Sequence, residues 1–242
     1  MTSPAANSAA NSTPLDQLLA TAHTLRAPGG CPWDAEQTHR SLVQYLLEET
    51  YELIEAIESG DPEQVKEELG DVLYQVVFHS DLAASGSLGE RFDIQDVAAL
   101  TDAKMRGRHP HVFGTDEELA KYAAKTGDEV MLNWDVHKMR EKPERSSVLD
   151  GVPQSLPALA LANKVLGKAE KLGLLDSDAP GAFGITSEAE LGAILLAIVS
   201  SARTAGLDPE RALREATREL QVEIRTSELA DDFDAGIIGR AE

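Results

Sequence analysis

The chain has 242 residues, 42% of them hydrophobic, and its 42 acidic side chains outnumber 22 Lys and Arg to give a formal net charge of −20. This content suffices for one domain or two small ones with a packed core, while the negative charge argues against binding nucleic acid or an anionic membrane surface. A single cysteine, Cys31, excludes a disulfide framework and a cysteine-based zinc site.

The start of the chain predicts no folded element. Residues 1–13 are rich in Ala, Ser, Asn and Pro and lack the charged and hydrophobic segments of a signal peptide, so we expect a disordered tail. No apolar run approaches about 20 residues, and no membrane-spanning helix is therefore expected. These features predict a cytoplasmic protein.

Helix-period patterns with capping residues dominate the rest of the chain, and strand-like alternation is nearly absent. The predicted helices of the first part cover 15–25, 41–58, 62–84, 94–108 and 116–140, with a loop carrying Cys31-Pro32-Trp33-Asp34 after the first. Asp61 is expected to cap the third of them, with Gln64 in the position that completes a capping box. The first domain is assigned to residues 14–141.

The second part begins after a predicted linker at 142–156, which contains prolines, a glycine and two serines. Three further helices are predicted at 157–172, 187–205 and 209–228, and they form a second domain, 157–242. Because the periodic segments are long and capped, the predicted fold class is all-α, a helical bundle.

The helix predicted at 41–58 carries three carboxylates on one face. At about 100° per residue, Glu48, Glu49 and Glu52 share an arc of about 100°, opposite an apolar face. A solvated acidic face is the ordinary explanation of such a pattern. Three like charges so close repel one another, however, unless a cation neutralises them.

The following helix carries a narrower polar stripe formed by Glu68, Asp71 and Gln75. Apolar residues surround that stripe over most of the circumference, so we expect this helix to be buried on most sides. A buried carboxylate without a partner is very costly, and the stripe contains no Lys or Arg. Two adjacent antiparallel helices that each present carboxylates one turn apart build an all-oxygen site for Mg²⁺ or Mn²⁺.

Four segments together resemble the MazG family of nucleoside triphosphate pyrophosphohydrolases. They are Gly-Gly-Cys-Pro-Trp-Asp at 29–34, Glu48-Glu49-x-x-Glu52, Glu68-x-x-Asp71 and Arg-His-Pro-His-Val-Phe-Gly at 108–114. The resemblance covers about 15–172 and implies the all-α NTP pyrophosphatase fold. It also implies Mg²⁺-dependent cleavage of a (d)NTP to the monophosphate and pyrophosphate, by a homodimer in which helices of two subunits close each bundle.

The resemblance assigns roles to individual residues. The family's metal ligands correspond to Glu49, Glu52, Glu68 and Asp71. Glu48 completes the first motif and is a candidate for orienting or deprotonating the attacking water; a surface acid that aids ligation only indirectly is the alternative that stays open for it. Lys104 and Arg108, one turn apart, correspond to the family's phosphate contacts. Trp134 and Lys138 repeat that spacing, and the family places a tryptophan near the nucleotide here. Trp33 is a nucleotide-binding candidate for which a packing role stays equally open.

The C-terminal part resembles a degenerate second copy. Glu68-Leu-Gly-Asp71-Val-Leu recurs as Glu190-Leu-Gly-Ala193-Ile-Leu, so that an alanine replaces the ligand Asp71. About one helix with its turn is missing before Glu190, and no second Glu-Glu-x-x-Glu occurs. We therefore predict that 157–242 is structural and binds neither nucleotide nor metal.

Two other functions remain open from the sequence. A dUTP-specific or phosphoribosyl-ATP pyrophosphatase belongs to the same superfamily, but the His-Pro-His-Val-Phe-Gly segment and the partial duplication favour the MazG type. A non-catalytic helical interaction or regulatory protein is the second alternative. The intact first acid set beside a degenerate copy weighs against it. The expected role is to clear surplus or non-canonical (d)NTPs from the nucleotide pool.

Overall fold

The computed structural model describes residues 12–127, 129–130, 134, 137–138, 141, 144–175 and 183–238, with side chains as far as residue 230. Within these residues the regular structure is helical and no strand is present, which confirms the all-α prediction. All but the last two residues of the predicted tail lie outside the described residues. The chain divides into two compact units, 1–137 and 138–242.

The helices with described bounds follow one another with short connections. They are α1 Pro14–Arg26, α2 Pro32–Glu36, α3 Val43–Ser59, α4 Pro62–Ala84, α5 Ile94–Arg108, α6 Pro110–Phe113, α7 Asp116–Lys121, α8 Ala158–Lys171, α9 Glu188–Thr204 and α10 Pro209–Ile238. The last helix therefore continues well beyond its predicted end at residue 228. Thr13, Asp61, Asp93 and Ser187 cap four of these helices through their side chains.

Helices α3 and α4 form an antiparallel hairpin at the centre of the first unit. Gly60 ends α3 with a φ of 72°, a left-handed conformation that glycine adopts without a Cβ clash. Asp61 then begins α4, and its side chain accepts a hydrogen bond from the amide of Glu63 at 3.0 Å. The expected capping box with Gln64 is not formed, because the side chain of Gln64 instead accepts from Ser59 at 3.4 Å.

The core of the first unit lies between α3 and α4, towards the start of α3. It consists of Leu42, Phe78 and Leu82, with Tyr45 and Tyr74 packed against it. Helix α1 packs against α2 and α4, and α5 packs against α4. These contacts hold the hairpin in place, but they cover only part of its surface.

The expectation that α4 is buried on most sides is wrong for a single chain. Leu69, Leu73 and Val76 of α4 are exposed, as are Leu47 and Ile57 of α3. The first unit has too few helices to cover both outer faces of the hairpin. A broad apolar surface is left over.

Two local predictions differ from the structure. The segment predicted as a loop forms the short helix α2, because Pro32 at its first position has the φ angle of a helix and needs no amide hydrogen there. The predicted helix at 116–140 ends at Lys121. A new helix begins after Thr126, whose hydroxyl accepts from the amide of Glu129 at 3.3 Å, while the Glu129 carboxylate accepts from the amide of Lys125 at 2.6 Å. The Thr-x-x-Glu pattern in the sequence signals this helix start, although Glu129 accepts from Lys125 and not from the amide of Thr126 as in a capping box.

The second unit has a core of its own, built mainly by α8 and α10. It contains Leu149, Val152, Leu161, Val165, Ala169 and Ile224. The first two come from the stretch predicted as a linker. Helix α9 contributes no buried residue to this unit. No single described helix is long and apolar enough to cross a membrane; α9 and the described part of α10 meet that criterion only as a pair bent by 106°.

Candidate active site

Three carboxylates from the two helices of the hairpin converge. Glu49 of α3 and Glu68 and Asp71 of α4 each offer an oxygen, and these oxygens all lie within 4.8 Å of one another. Within the described part of the chain, this is the only group of three or more His, Cys, Asp and Glu side chains close enough to share an ion. The turn at Gly60 and Asp61 creates the site, because it folds α4 back along α3.

The carboxylates destabilise one another's charged forms. Burial raises the pKa of Glu49 above its ordinary value of 4.5, and the negative charges of Asp71, Glu52, Glu68 and Glu48 raise it further, in that order. Burial also raises the pKa of Glu68, followed by the charges of Glu52 and Asp71. The cluster therefore favours anything positive that enters it, a proton or a metal ion.

The atoms of the cluster suit a hard divalent cation. The Oε2 atom of Glu68 is buried and has no hydrogen-bond partner, which is unfavourable unless an ion or water contacts it. Carboxylate oxygens are the ligands that Mg²⁺ and Mn²⁺ prefer. Glu52 is exposed and lies outside the group of three, although its charge acts on both Glu49 and Glu68. The predicted metal ligands thus occupy one place, with Glu52 at its edge.

A second group of predicted site residues surrounds Trp134. The guanidinium of Arg108 lies over the indole ring, 5.1 Å from its centroid. The ring of His109 meets the indole nearly perpendicularly at 5.0 Å, and its Nδ1 donates to the carbonyl of Met105 at 2.6 Å. Lys104 lies one turn before Arg108 on α5 and is half-buried. This group presents positive charge beside an aromatic ring.

The remaining predicted residues lie elsewhere. Trp33, in α2, is 48% exposed, and its ring meets that of Tyr45 edge-on with centroids 5.5 Å apart. Lys138 is half-buried and is the first residue of the second unit. The structure therefore brings Glu49, Glu68 and Asp71 together and places Arg108 over Trp134, with Trp33 beside Tyr45.

Comparisons with known proteins identify the family. The family model for the MazG nucleotide pyrophosphohydrolase domain matches residues 37–113. The chain is 37% identical to the nucleoside triphosphate pyrophosphohydrolase/pyrophosphatase MazG of Thermotoga maritima, over 84% of this chain and 81% of that protein. The chain belongs to the MazG family. It is also 35% identical to a nucleoside triphosphate pyrophosphohydrolase of Escherichia coli, over 88% of this chain and 87% of that protein.

A mycobacterial relative is longer than this chain. The nucleoside triphosphate pyrophosphohydrolase of Mycobacterium tuberculosis is 40% identical over 89% of this chain, but the match covers 62% of that protein. The MazG domain match includes both acid sets and the His-Pro-His segment. It ends before Trp134, whose place beside Arg108 is given by the structure alone.

The structure shows further contacts around the candidate site that the sequence patterns did not single out. His109 packs on Trp134, and the Nδ1 atom of His111 is buried without a hydrogen-bond partner. Tyr74 of α4 lies near the buried carboxylate of Asp34 in α2, and burial followed by that carboxylate raises the pKa of the Tyr74 hydroxyl. The two histidines stand in a segment that the family resemblance had marked, so their place was open to prediction. The pairing of Tyr74 with Asp34 gives no sequence signal, because the two residues are far apart in the chain.

Proposed function

We propose that this protein hydrolyses nucleoside triphosphates, including deoxynucleotides, to the monophosphate and pyrophosphate in a Mg²⁺-dependent reaction. It is a hydrolase that acts on phosphorus anhydride bonds. The convergence of Glu49, Glu68 and Asp71, with one buried oxygen lacking a partner, is the observation that carries the proposal. Membership of the MazG family supports it, since relatives bear the name of that activity.

The side chains take distinct roles in this proposal. Glu49, Glu68 and Asp71 would hold Mg²⁺, or Mn²⁺ in its place, with Glu52 beside them. Bound Mg²⁺ supplies charge neutralisation for phosphate oxygens and lowers the pKa of a coordinated water. Glu48, whose charge reaches Glu49, orients or deprotonates the attacking water.

The positively charged and aromatic residues bind the rest of the nucleotide. Lys104 and Arg108 contact phosphate oxygens, because a guanidinium can hold them through two parallel hydrogen bonds. Trp134, Lys138 and Trp33 contact the nucleotide's remaining parts. A net charge of −20 disfavours a nucleic-acid polyanion, so we expect free nucleotides as substrates and the removal of surplus or non-canonical ones as the role.

Pyrophosphate release from a nucleotide panel tests the activity. The metal-stripped protein is assayed against canonical and modified (d)NTPs, dUTP and phosphoribosyl-ATP, with and without Mg²⁺. We expect Mg²⁺-dependent release by the wild-type chain, loss of release in Asp71→Asn, and normal release in the control Glu58→Gln on α3. Release without a divalent ion, or full activity of Asp71→Asn, would refute the proposed site.

We further propose that the active form is a homodimer. Helices α3 and α4 expose a surface of large apolar residues, and monomeric proteins rarely leave contiguous apolar surface of this kind open. Its members are Val43, Leu46, Leu47, Tyr51, Ile54, Ile57, Leu69, Leu73 and Val76. A second copy of the hairpin would cover it.

Light scattering after size-exclusion chromatography tests the homodimer. We expect the mass of two chains for the wild type and for the control Leu100→Glu, which changes an exposed leucine of α5. Leu47→Glu combined with Ile54→Glu should give the mass of one chain. A wild-type mass of one chain at assay concentration contradicts the homodimer.

A further inference from the structure

Gln75 is a buried polar residue of α4 that the proposed chemistry does not use. The residue is only 7% exposed, and its Oε1 atom is buried with no hydrogen-bond partner. Native structures contain few such groups, and those that persist at a site call for an explanation such as a ligand.

The position of Gln75 places it beside the carboxylates. At about 100° per residue, it lies about 20° from Glu68 and about 40° from Asp71 around the helix axis. It follows Asp71 by one turn, a rise of about 6 Å. Gln75 is therefore on the same face of α4 as the two metal-ligand candidates, at the end of the cluster nearer the core.

Aromatic residues of α2 and α3 occupy this same end of the site. Tyr45 precedes Glu49 by one turn, and Tyr74 is the neighbour of Gln75 in the chain. Tyr45 and Tyr74 both pack against the core. Trp33 meets Tyr45, while Asp34 of the same short helix lies near Tyr74 and raises the pKa of its hydroxyl. Helix α2 thus reaches the hairpin at Tyr45 and Tyr74, and Trp33 stays 48% exposed.

A ring face and a carboxamide are complementary to a nucleobase. Base–aromatic stacking is tolerant of base identity, whereas an amide distinguishes bases through its donor and acceptor groups. The terminal torsion of glutamine is broad, so rotation can present either the oxygen or the NH₂ group. A purine or pyrimidine edge offers partners for both.

We propose that the Gln75 carboxamide hydrogen-bonds the base of the bound nucleotide and sets the preference among bases. This inference rests on the proposed hydrolysis of nucleoside triphosphates. It places the base at the end of the carboxylate cluster where α2 joins the hairpin. The buried oxygen without a partner is then a site held ready for substrate.

Base selectivity is the measurement that distinguishes this role from a structural one. The specificity constant kcat/KM is determined for each (d)NTP with the wild type, Gln75→Met and Gln75→Glu, and with Gln64→Met as a control at an exposed glutamine of the same helix. For the preferred base we expect Gln75→Met to raise KM about tenfold, equivalent to about 1.4 kcal/mol, and to flatten the preference. Gln75→Glu, which keeps acceptors but loses donors, should change the order of bases.

Two further readouts exclude a folding or metal defect. Gln75→Met should not lower the melting temperature of the metal-free protein, because it replaces a buried amide whose oxygen has no partner with an apolar side chain of similar shape. Titration of Mg²⁺ alone should match the wild type. An unchanged base order in both Gln75 variants, with an active wild type, overturns this inference alone. A wild type that hydrolyses no nucleotide overturns the proposed function, and this inference with it.

Discussion

At the scale of single residues, the carboxylate cluster lowers the stability of the folded protein and at the same time favours the binding of a proton or a metal ion. Burial and neighbouring charges raise the pKa values of Glu49 and Glu68 above 4.5 in the folded state. The folded protein therefore binds more protons at these groups than the unfolded chain does. Where that is so, stability falls as the pH rises, and the loss is complete above the raised pKa values.

This asymmetry gives a testable pH dependence. In EDTA, we expect the unfolding free energy of Glu49→Gln combined with Glu68→Gln to exceed that of the wild type by an amount that grows as the pH rises from about 4.5 through the raised pKa values. The reason is that only the wild type keeps the charged carboxylates of Glu49 and Glu68 in the cluster, where the neighbouring carboxylates repel them. Urea denaturation of both proteins across this range provides the measurement, with Glu58→Gln as the control. A constant difference between wild type and double variant would contradict the coupling.

At the scale of elements, α2 meets α4 through Asp34 and Tyr74. Asp34 is buried, and after burial itself, its charge and side-chain hydrogen bonding raise the pKa of the Tyr74 hydroxyl. Tyr74→Phe removes the donor and leaves the buried acceptor unsatisfied, so we expect a loss of about 1–3 kcal/mol in unfolding free energy. Glu58→Gln, at an exposed residue of α3 outside the proposed subunit surface, should stay within about 0.5 kcal/mol of the wild type. Equal losses from urea denaturation would show that the contact has no special weight.

Helix boundaries were predictable wherever they depend on local hydrogen bonds. Thr13, Asp61 and Asp93 begin helices through their own side chains, so the residue type reveals the start. Helix α2 was missed because five residues show no periodicity and its capping residue, Cys31, makes no side-chain hydrogen bond. The break after Lys121 differs from the predicted single polar helix at 116–140, which runs across the Thr-x-x-Glu cap of the next helix.

The candidate site was predictable in its chemistry and less so in its geometry. The helical period places Glu49, Glu68 and Asp71 on facing sides of a hairpin, and the structure brings them together. The helical period does not give the burial of a side chain, which depends on how far that side chain reaches across the contact between α3 and α4. For that reason the edge position of Glu52, the burial of Gln75 and the ring contact of Arg108 with Trp134 required tertiary structure.

At the scale of the whole molecule, the Glu-Leu-Gly segment recurs in both units, and its glutamate has different contacts in each. Glu190, which holds the position of Glu68 in the recurring segment, accepts hydrogen bonds from the amide and hydroxyl of Thr186, each at 3.0 Å, at the start of α9. These hydrogen bonds hold the pKa of Glu190 below its ordinary range. Ala193 occupies the place of Asp71. The carboxylate that remains in the second unit is thus engaged in closing a helix end.

Separate substitutions of Glu190 and Glu68 test whether only the first unit takes part in hydrolysis. Glu190→Gln should leave Mg²⁺-dependent hydrolysis unchanged and lower the stability of the protein near neutral pH. Because the pKa of Glu190 is lowered on folding, that stabilising contribution is present above about pH 4.5 and disappears as the pH falls through the lowered value. Glu68→Gln should do the reverse, abolishing hydrolysis while leaving metal-free stability intact or increased. The measurements are pyrophosphate release and urea denaturation of both variants. They are accompanied by calorimetric titration of Mg²⁺ and a dNTP into the wild type. Hydrolysis that depends on Glu190 as strongly as on Glu68 would mean that the second unit takes part in catalysis.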